Sequence, residues 1–383
     1  MLKRALKYIE GINSKEQWLL YLAVNCLFIY KYLSRTSINV LAGICSYAVF
    51  IFLTILIIPR LQKLNQFLSK YLSASLVFLT ITAICFFLYK IEPLNINVDR
   101  WSATTYFLDG LFSGVYPYGI HTHVCETNYP SPFPLWQYIN IPFWLVGDVG
   151  IGLIIFFIIF AVGCYWFTNS FTQTFIMLLL LTLSPSYWWE VLVRSDGLSN
   201  TILVFISILM MEKKKISFQN HWVLTAIICG LLASTRLSAI IPLAIYLCGS
   251  FFKISFKQQL SVIVIILSIV FIFFSPYIFW NTDTWIFFSR NPFMSQTSTG
   301  NIWILLVMVT IAIVLSLTFK IFKQYTRRTA CFIFIFFGIS LIYNHLTYNA
   351  DISFMEDADF DISYLSLSLP YCLFSIANTK ENV

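Results

Sequence analysis

Residues 71–90 read YLSASLVFLTITAICFFLYK, and residues 91–119 continue IEPLNINVDRWSATTYFLDGLFSGVYPYG. The first stretch carries no charge before Lys90. About 20 apolar residues are enough to cross the hydrocarbon core as a helix. The second stretch sets Asp99 beside Arg100 and follows them with aromatics, Gly and Pro. An apolar helix that ends shortly before an acid and a base has left the bilayer. This junction decides that the chain is a membrane protein, and it raises the question of which side the Asp99–Arg100 pair faces.

Working outward, the same pattern recurs. The chain has 383 residues, of which 59% are hydrophobic and 11% charged, with mean hydropathy +0.80. Soluble domains carry about 25% charged residues. Apolar runs predict spans at 18–33, 37–58, 71–90, 149–167, 171–187, 197–211, 258–280, 302–320, 329–348 and 363–377. Segment 221–250 is broken by Arg236 and predicts two short helices, a hairpin turning inside the membrane. Segment 135–147 is too short to span and contains Pro142, which predicts an interfacial helix. The fold class expected is all-α: a polytopic bundle of about 10–13 membrane helices, with interfacial helices in the first outer loop. Met1–Gln17 is basic and polar without a small-residue cleavage site, so the first helix is expected to act as its own insertion signal. Eight of the nine cysteines fall in apolar runs and read as small buried hydrophobes; Cys125 alone sits in a polar loop.

Lys and Arg fix the expected orientation. With the N-terminus inside, the cytoplasmic segments hold Lys3, Arg4, Lys7, Lys15, the basic residues at 60–70, Lys213–Lys215, those at 253–257 and 320–328, and Lys380. The outer side holds Lys31, Arg35, Lys90, Arg100, Arg194 and Arg290, and most of the acids. Both termini are then cytoplasmic. The net charge of +7 needs no nucleic-acid partner; it follows from this topology and from attraction to anionic membrane lipid. Most tryptophans, among them Trp101, Trp136, Trp144, Trp188, Trp189 and Trp280, fall on the outer side or its edge. That asymmetry points to an outer face that binds something with flat apolar surfaces.

Each constellation of polar residues has two readings. Asp99 and Arg100 form either a solvated ion pair at a helix end or a general base with a cationic neighbour. Arg236, inside the membrane, is either a snorkelling arginine or a phosphate ligand facing a cavity. Arg194 and Asp196 form either a local salt bridge or contacts to phosphate and sugar. His121, His123 and Glu126 in HTHVCE could ligate a metal, bind sugar or simply be solvated; no metal is expected. The acids from Asp351 to Asp361 read as a solvated outer loop or an acceptor-facing rim.

At Asp99 the sequence resembles a family. Asp99 with Trp101–Gly110, GVYPYG (114–119) and YPSPFPLWQYINIPFWLVGD (129–148) is similar to the first outer loop of GT-C glycosyltransferases. SPSYWWEVLVRSDGLSN (184–200) resembles their second outer loop. GLLASTRLSAIIPLA (230–244) resembles their broken helix pair with a basic residue at the turn. The commoner family pattern is an acidic pair; here Arg100 stands in the second place, as in the single-acid, mannosyltransferase-like branch.

The resemblance covers about residues 71–300. It implies an N-terminal addition (1–70), a catalytic transmembrane core (71–300) and C-terminal helices (301–383). It also implies an inverting transfer of a hexose such as mannose from a polyprenyl-phosphate carrier to a lipid or glycan acceptor on the outer face. Asp99 would be the base. Arg236, Arg100 and Arg194 would bind donor phosphate, and Asp196, Tyr118, His121 and Trp188 would contact sugar. No cofactor is implied beyond that donor substrate, and the expected location is a bacterial inner membrane rather than the endoplasmic reticulum. There is no phosphate-binding glycine loop and no dinucleotide fingerprint. The rival expectations are a polysaccharide polymerase or ligase, and a lipid-linked sugar flippase. A flippase should carry several ionisable groups at the midplane and paired repeats.

Overall fold

A computed structural model describes residues 15–297, 301–353 and 361–378. Lys3, Arg4, Lys7, the acids Glu356, Asp357 and Asp359, and Lys380 lie outside the described residues. Among the described residues every regular element is helical. In chain order these are α1 (Lys15–Leu33), α2 (Val40–Leu61), α3 (Gln66–Lys90), α4 (Arg100–Phe112), α5 (Pro134–Leu145), α6 (Ile151–Thr168), α7 (Phe171–Thr182), α8 (Pro185–Leu192) and α9 (Gly197–Lys213). They continue as α10 (Phe218–Ala233), α11 (Ile240–Phe251), α12 (Phe256–Ile278), α13 (Ile286–Ser289), α14 (Pro292–Thr297), α15 (Ile302–Thr318), α16 (Phe322–Tyr348), α17 (Ser363–Ser366) and α18 (Leu369–Ala377).

Five helices, α2, α3, α6, α12 and α16, are long and apolar enough to cross a membrane; two bent pairs raise the number to 7 if each is one span. This fits a multi-pass membrane protein. The remaining expected spans differ for identifiable reasons. Helix α1 carries Lys15, Glu16 and Lys31. Helices α9 and α15 have 17 residues each. The run 363–377 divides into α17 and α18 around Leu367 and Ser368. The run 171–187 is not one helix: α7 and α8 meet at 66°. Pro185 opens α8, and a residue before proline is pushed out of the helical region.

The chain divides into two compact units. One draws its described residues from Met1–Leu76, Thr168–Tyr187 and Phe319–Val383; the other is Val77–Phe167 with Trp188–Thr318. In the first, α1 packs against α2, α16 and α18, and α18 against α7. The buried amide of Asn25 on α1 organises the bend at Pro185. Its Oδ1 accepts from Ser184 Oγ (2.6 Å), Ser186 Oγ (3.1 Å) and the Ser186 N–H (3.2 Å). The start of α8 is thus hydrogen-bonded where no preceding turn can serve it.

In the second unit α10 lies along α12, α11 along α15, and α4 against α5. Glycine permits the closest approaches: a Cβ at Gly230 would come within 2.9 Å of Ile269, and one at Gly249 within 2.8 Å of the Ser316 carbonyl. Small residues at such crossings are the usual device where helices meet in lipid. All nine cysteines are free. Cys164, Cys229 and Cys372 are buried as expected, but Cys45 and Cys85 are exposed on α2 and α3, on apolar faces suited to lipid.

Candidate functional site

The site lies in the second unit, where four loops and helix ends converge. Segment 221–250 folds as two short helices, α10 and α11, joined by a turn and a 3₁₀ segment Leu237–Ala239. Arg236 stands in that turn with extended backbone (φ −157°) and is 4% exposed. Its guanidinium donates to Asp196 Oδ1, an ion pair between two largely buried side chains. A buried, unpaired arginine in an apolar unit would be costly; Asp196 supplies the counter-charge.

Arg194 has a different partner from the one expected. It does not bridge to Asp196 two residues on. Its Nη1 approaches Asp148 Oδ2 (3.3 Å), and its Nη2 donates to the carbonyls of Leu88 (2.7 Å) and Ile91 (2.8 Å) at the end of α3. The left-handed backbone at Arg194 (φ 52°) accompanies this orientation. With its fork occupied by a helix C-terminus and a carboxylate, Arg194 is a fastening rather than a free phosphate ligand. Asp148 also accepts from Trp101 Nε1 (3.2 Å) and the Gly150 N–H (2.8 Å).

Arg194 and Asp196 line one cavity together with Thr104, Trp136, Asn140 and Leu153. It is a small cleft, about 10 Å³, with room for about one water molecule. Two of the side chains lining it have buried polar atoms without a hydrogen-bond partner: Trp136 Nε1 and Asp196 Oδ2. Arg236 does not line the cavity, but its Nε is likewise buried without a partner.

Asp99 is the N-cap residue of α4 and its carboxylate does not cap the helix. It accepts instead from Asn128 Nδ2 at 3.3 Å. Asp99 and Arg100 are both partly buried. Neither lines the cavity, whereas Thr104, on the same helix, does. Asp109 accepts from Trp144 Nε1 (2.9 Å), and the Trp144 ring stacks on Phe112 at 4.7 Å.

The remaining expected sugar contacts are dispersed. Tyr118 is 1% exposed and packs against Phe107 and Tyr277. Its hydroxyl donates to the Pro132 carbonyl (3.0 Å), and burial pushes its pKa well above the ordinary tyrosine value. It is a core residue rather than a sugar face. Trp188 is partly buried and meets Phe87 edge-on. His121 is exposed and packs on Tyr129, over which Arg290 lies at 4.0 Å. Both ring nitrogens of His123 are engaged, Nε2 donating to the Ile96 carbonyl (3.0 Å) and Nδ1 meeting Ser102 Oγ (2.6 Å). That leaves the HTHVCE segment without a free pair of imidazoles, and among the described residues no group of three metal-ligating side chains forms.

Sequence reading missed Trp136, Asp148 and Gln296. The Gln296 amide accepts from the Leu237 N–H (2.9 Å) and donates to the Ser131 carbonyl. The N–H groups of Phe133 and Leu135 donate to the carbonyls of Thr235 (3.0 Å) and Ser234 (3.2 Å). The Arg236 turn is thereby strapped to the loop before α5. Asp148 carried a signal, an acid between Gly147 and Gly150 at a helix start; Gln296 carried none. No protein-family model, curated protein or solved structure matches this chain.

Proposed function

We propose that the protein is a GT-C-like glycosyltransferase, with its short apolar helices counted as further membrane segments, and that it moves a hexose from a polyprenyl-phosphate carrier to a lipid or glycan acceptor. The observation that carries this reading is the buried Arg236–Asp196 pair in the turn between two short apolar helices, beside a cavity with an unpartnered acceptor and an unpartnered donor. A membrane protein has little reason to bury such a turn unless it meets a polar ligand.

In this reading the acceptor hydroxyl attacks the anomeric carbon. The new carbon–oxygen bond forms as the bond from that carbon to the carrier phosphate breaks. The hydroxyl proton passes to Asp99, and the carrier leaves as a phosphomonoester. Arg236, through its unpartnered Nε, and Arg100 meet the growing phosphate charge; a fixed cation there favours the transition state. Arg194 is left out of the phosphate set because its donors are engaged. The outer compartment is where Asp99 acts, with both termini cytoplasmic.

The test is a vesicle assay with the purified, reconstituted chain and radiolabelled polyprenyl-phosphate hexoses, without ATP or an ion gradient. Labelled product supports the transferase. Product only from a diphosphate-linked oligosaccharide favours a polymerase or ligase. Movement of the lipid-linked sugar across the bilayer without product favours a flippase.

A further inference from the structure

Helix α12 is one of the five helices long and apolar enough to cross a membrane, and little of it is buried within the fold. An aromatic ladder on its exposed side runs past its end. Phe271 meets Phe279 at 6.4 Å, Phe279 meets Trp285 at 6.5 Å, and Trp285 meets Phe288 at 5.8 Å. All four residues are exposed. Phe279 is the first residue after α12, so Trp285, folded back onto it, stands beside the end of the apolar span. Trp285 does so from a left-handed backbone (φ 47°), an outlier for a bulky residue. Trp gathers where a transmembrane helix leaves the hydrocarbon. An apolar surface continuous from a lipid-facing helix onto the next turn fits a leaflet and not water.

Arg290 closes this turn. It lies two residues past Phe288, so the two Cα atoms are within about 7 Å of each other. Its backbone is fastened: its N–H donates to the Ile286 carbonyl (2.9 Å), and its carbonyl accepts from the Tyr116 hydroxyl (2.6 Å). Its guanidinium lies over the Tyr129 ring at 4.0 Å, a contact that supplies no oxygen. Among the described residues no carboxylate pairs with it; Asp283, in the same loop, is exposed and makes no ion pair. A guanidinium is always charged, and its planar donors match two oxygens of a phosphate. A fixed cation without a counter-charge, beside apolar rings at the end of a span, stands where lipid phosphates stand.

We propose that this turn is a lipid-docking site, with Trp285 and Phe288 seated in the leaflet and Arg290 holding the phosphodiester of an anionic glycerophospholipid. A net negative headgroup is favoured because a zwitterionic one brings its own cation to the phosphate, whereas Arg290 has no acid of the protein to offset it. The proposal depends neither on the transferase reading nor on which face of the membrane the turn occupies.

The test uses the full chain in phosphatidylcholine nanodiscs doped with one photoreactive lipid, and reads crosslinks at residues 279–290 by mass spectrometry. The probes are a phosphatidylglycerol and the diacylglycerol with the same diazirine-bearing chains. In the parent, the phosphatidylglycerol should crosslink there about fivefold more than the diacylglycerol, and unlabelled phosphatidylglycerol should compete. Arg290→Gln should bring the two yields together, and Arg290→Lys should keep most of the difference. Trp285→Asn, which tolerates the left-handed backbone, should lower both yields by removing the ring. It keeps the proposal testable if Arg290→Gln does not fold. Equal yields from the two probes in the parent, or yields unchanged in both Arg290→Gln and Trp285→Asn, overturn the site. Displacement by millimolar inorganic phosphate makes it a free-anion site, and displacement by polyprenyl phosphate in preference to phosphatidylglycerol makes it a carrier site; either overturns the proposal. No crosslink from either probe takes the turn off the membrane and overturns it as well.

Discussion

Asp99 accepts one long hydrogen bond from Asn128 and caps no helix amide, so its carboxylate retains capacity to take a proton. A positioned base contributes about 10²–10⁴-fold to rate. Asp99→Asn should lower turnover of a carrier-linked sugar by that order while donor binding stays close to the parent. Asp99→Glu moves the carboxylate by one methylene and should also lose most activity, because proton transfer needs hydrogen-bond reach. Asp109 is the comparison: its carboxylate holds Trp144, and Asp109→Asn should be milder. Equal, modest losses at both positions would return Asp99 to a solvated helix end. Arg236 calls for a different pair of substitutions. Arg236→Lys keeps a charge for Asp196 but loses the planar fork, so activity should fall without vanishing. Arg236→Met leaves Asp196 a buried, uncompensated carboxylate and should cost both activity and stability. An Arg236→Met protein that binds and turns over donor like the parent would make the pair purely architectural.

Among the elements, the end of α3 depends on one side chain. Helix C-termini leave carbonyls without intrahelical partners, and Arg194 reaches back to cover those of Leu88 and Ile91 while pairing with Asp148. Removing Arg194 would uncover those carbonyls and leave the partly buried Asp148 without its counter-charge. Arg194→Met should lower the thermal unfolding midpoint of the purified protein clearly. Loss of activity with an unchanged midpoint would make Arg194 a ligand after all. This element also marks how far sequence reading reaches. The hydropathy of 71–90 located α3, and the break at Arg236 located the turn between α10 and α11, because burial of apolar residues is a local signal. The partners of Arg194 and Asp196 were not legible. Two charges two residues apart read as one local bridge, but Arg194 turns toward Asp148 and Asp196 toward Arg236, which lies 40 positions away. Such pairings depend on tertiary approach, as does the burial of Tyr118, whose aromatic-rich loop reads equally well as a ligand face.

Across the whole molecule, the orientation expected from Lys and Arg carries the proposed function, since in that proposal Asp99 would act in the compartment that holds the lipid-linked sugar. The loop containing Cys125 offers a native reporter. Cys125 is exposed, and a hydrogen bond with the Thr127 hydroxyl (3.0 Å) pulls its thiol pKa below the ordinary value. The thiolate is the reactive form, so an impermeant maleimide added to intact cells should label Cys125 readily at neutral pH. Labelling should decline as the pH is lowered toward and below the thiol pKa. Cys125→Ser should abolish this fast phase, because Cys164, Cys229 and Cys372 are buried and Cys45 and Cys85 lie on apolar helix faces. On the Cys125→Ser background, cysteines introduced at the exposed positions Lys214 and Lys320 should react only after the membrane is permeabilised, and one at the exposed Ser353 should react in intact cells. Thr122 and Lys323 are unsuitable reporters, being 6% and 5% exposed. Labelling at Lys214 in intact cells, with Cys125 protected until permeabilisation, would invert the topology. Asp99, which precedes Cys125 in the same loop region, would then face the cytoplasm, and the proposed outer-face transfer would fail with it.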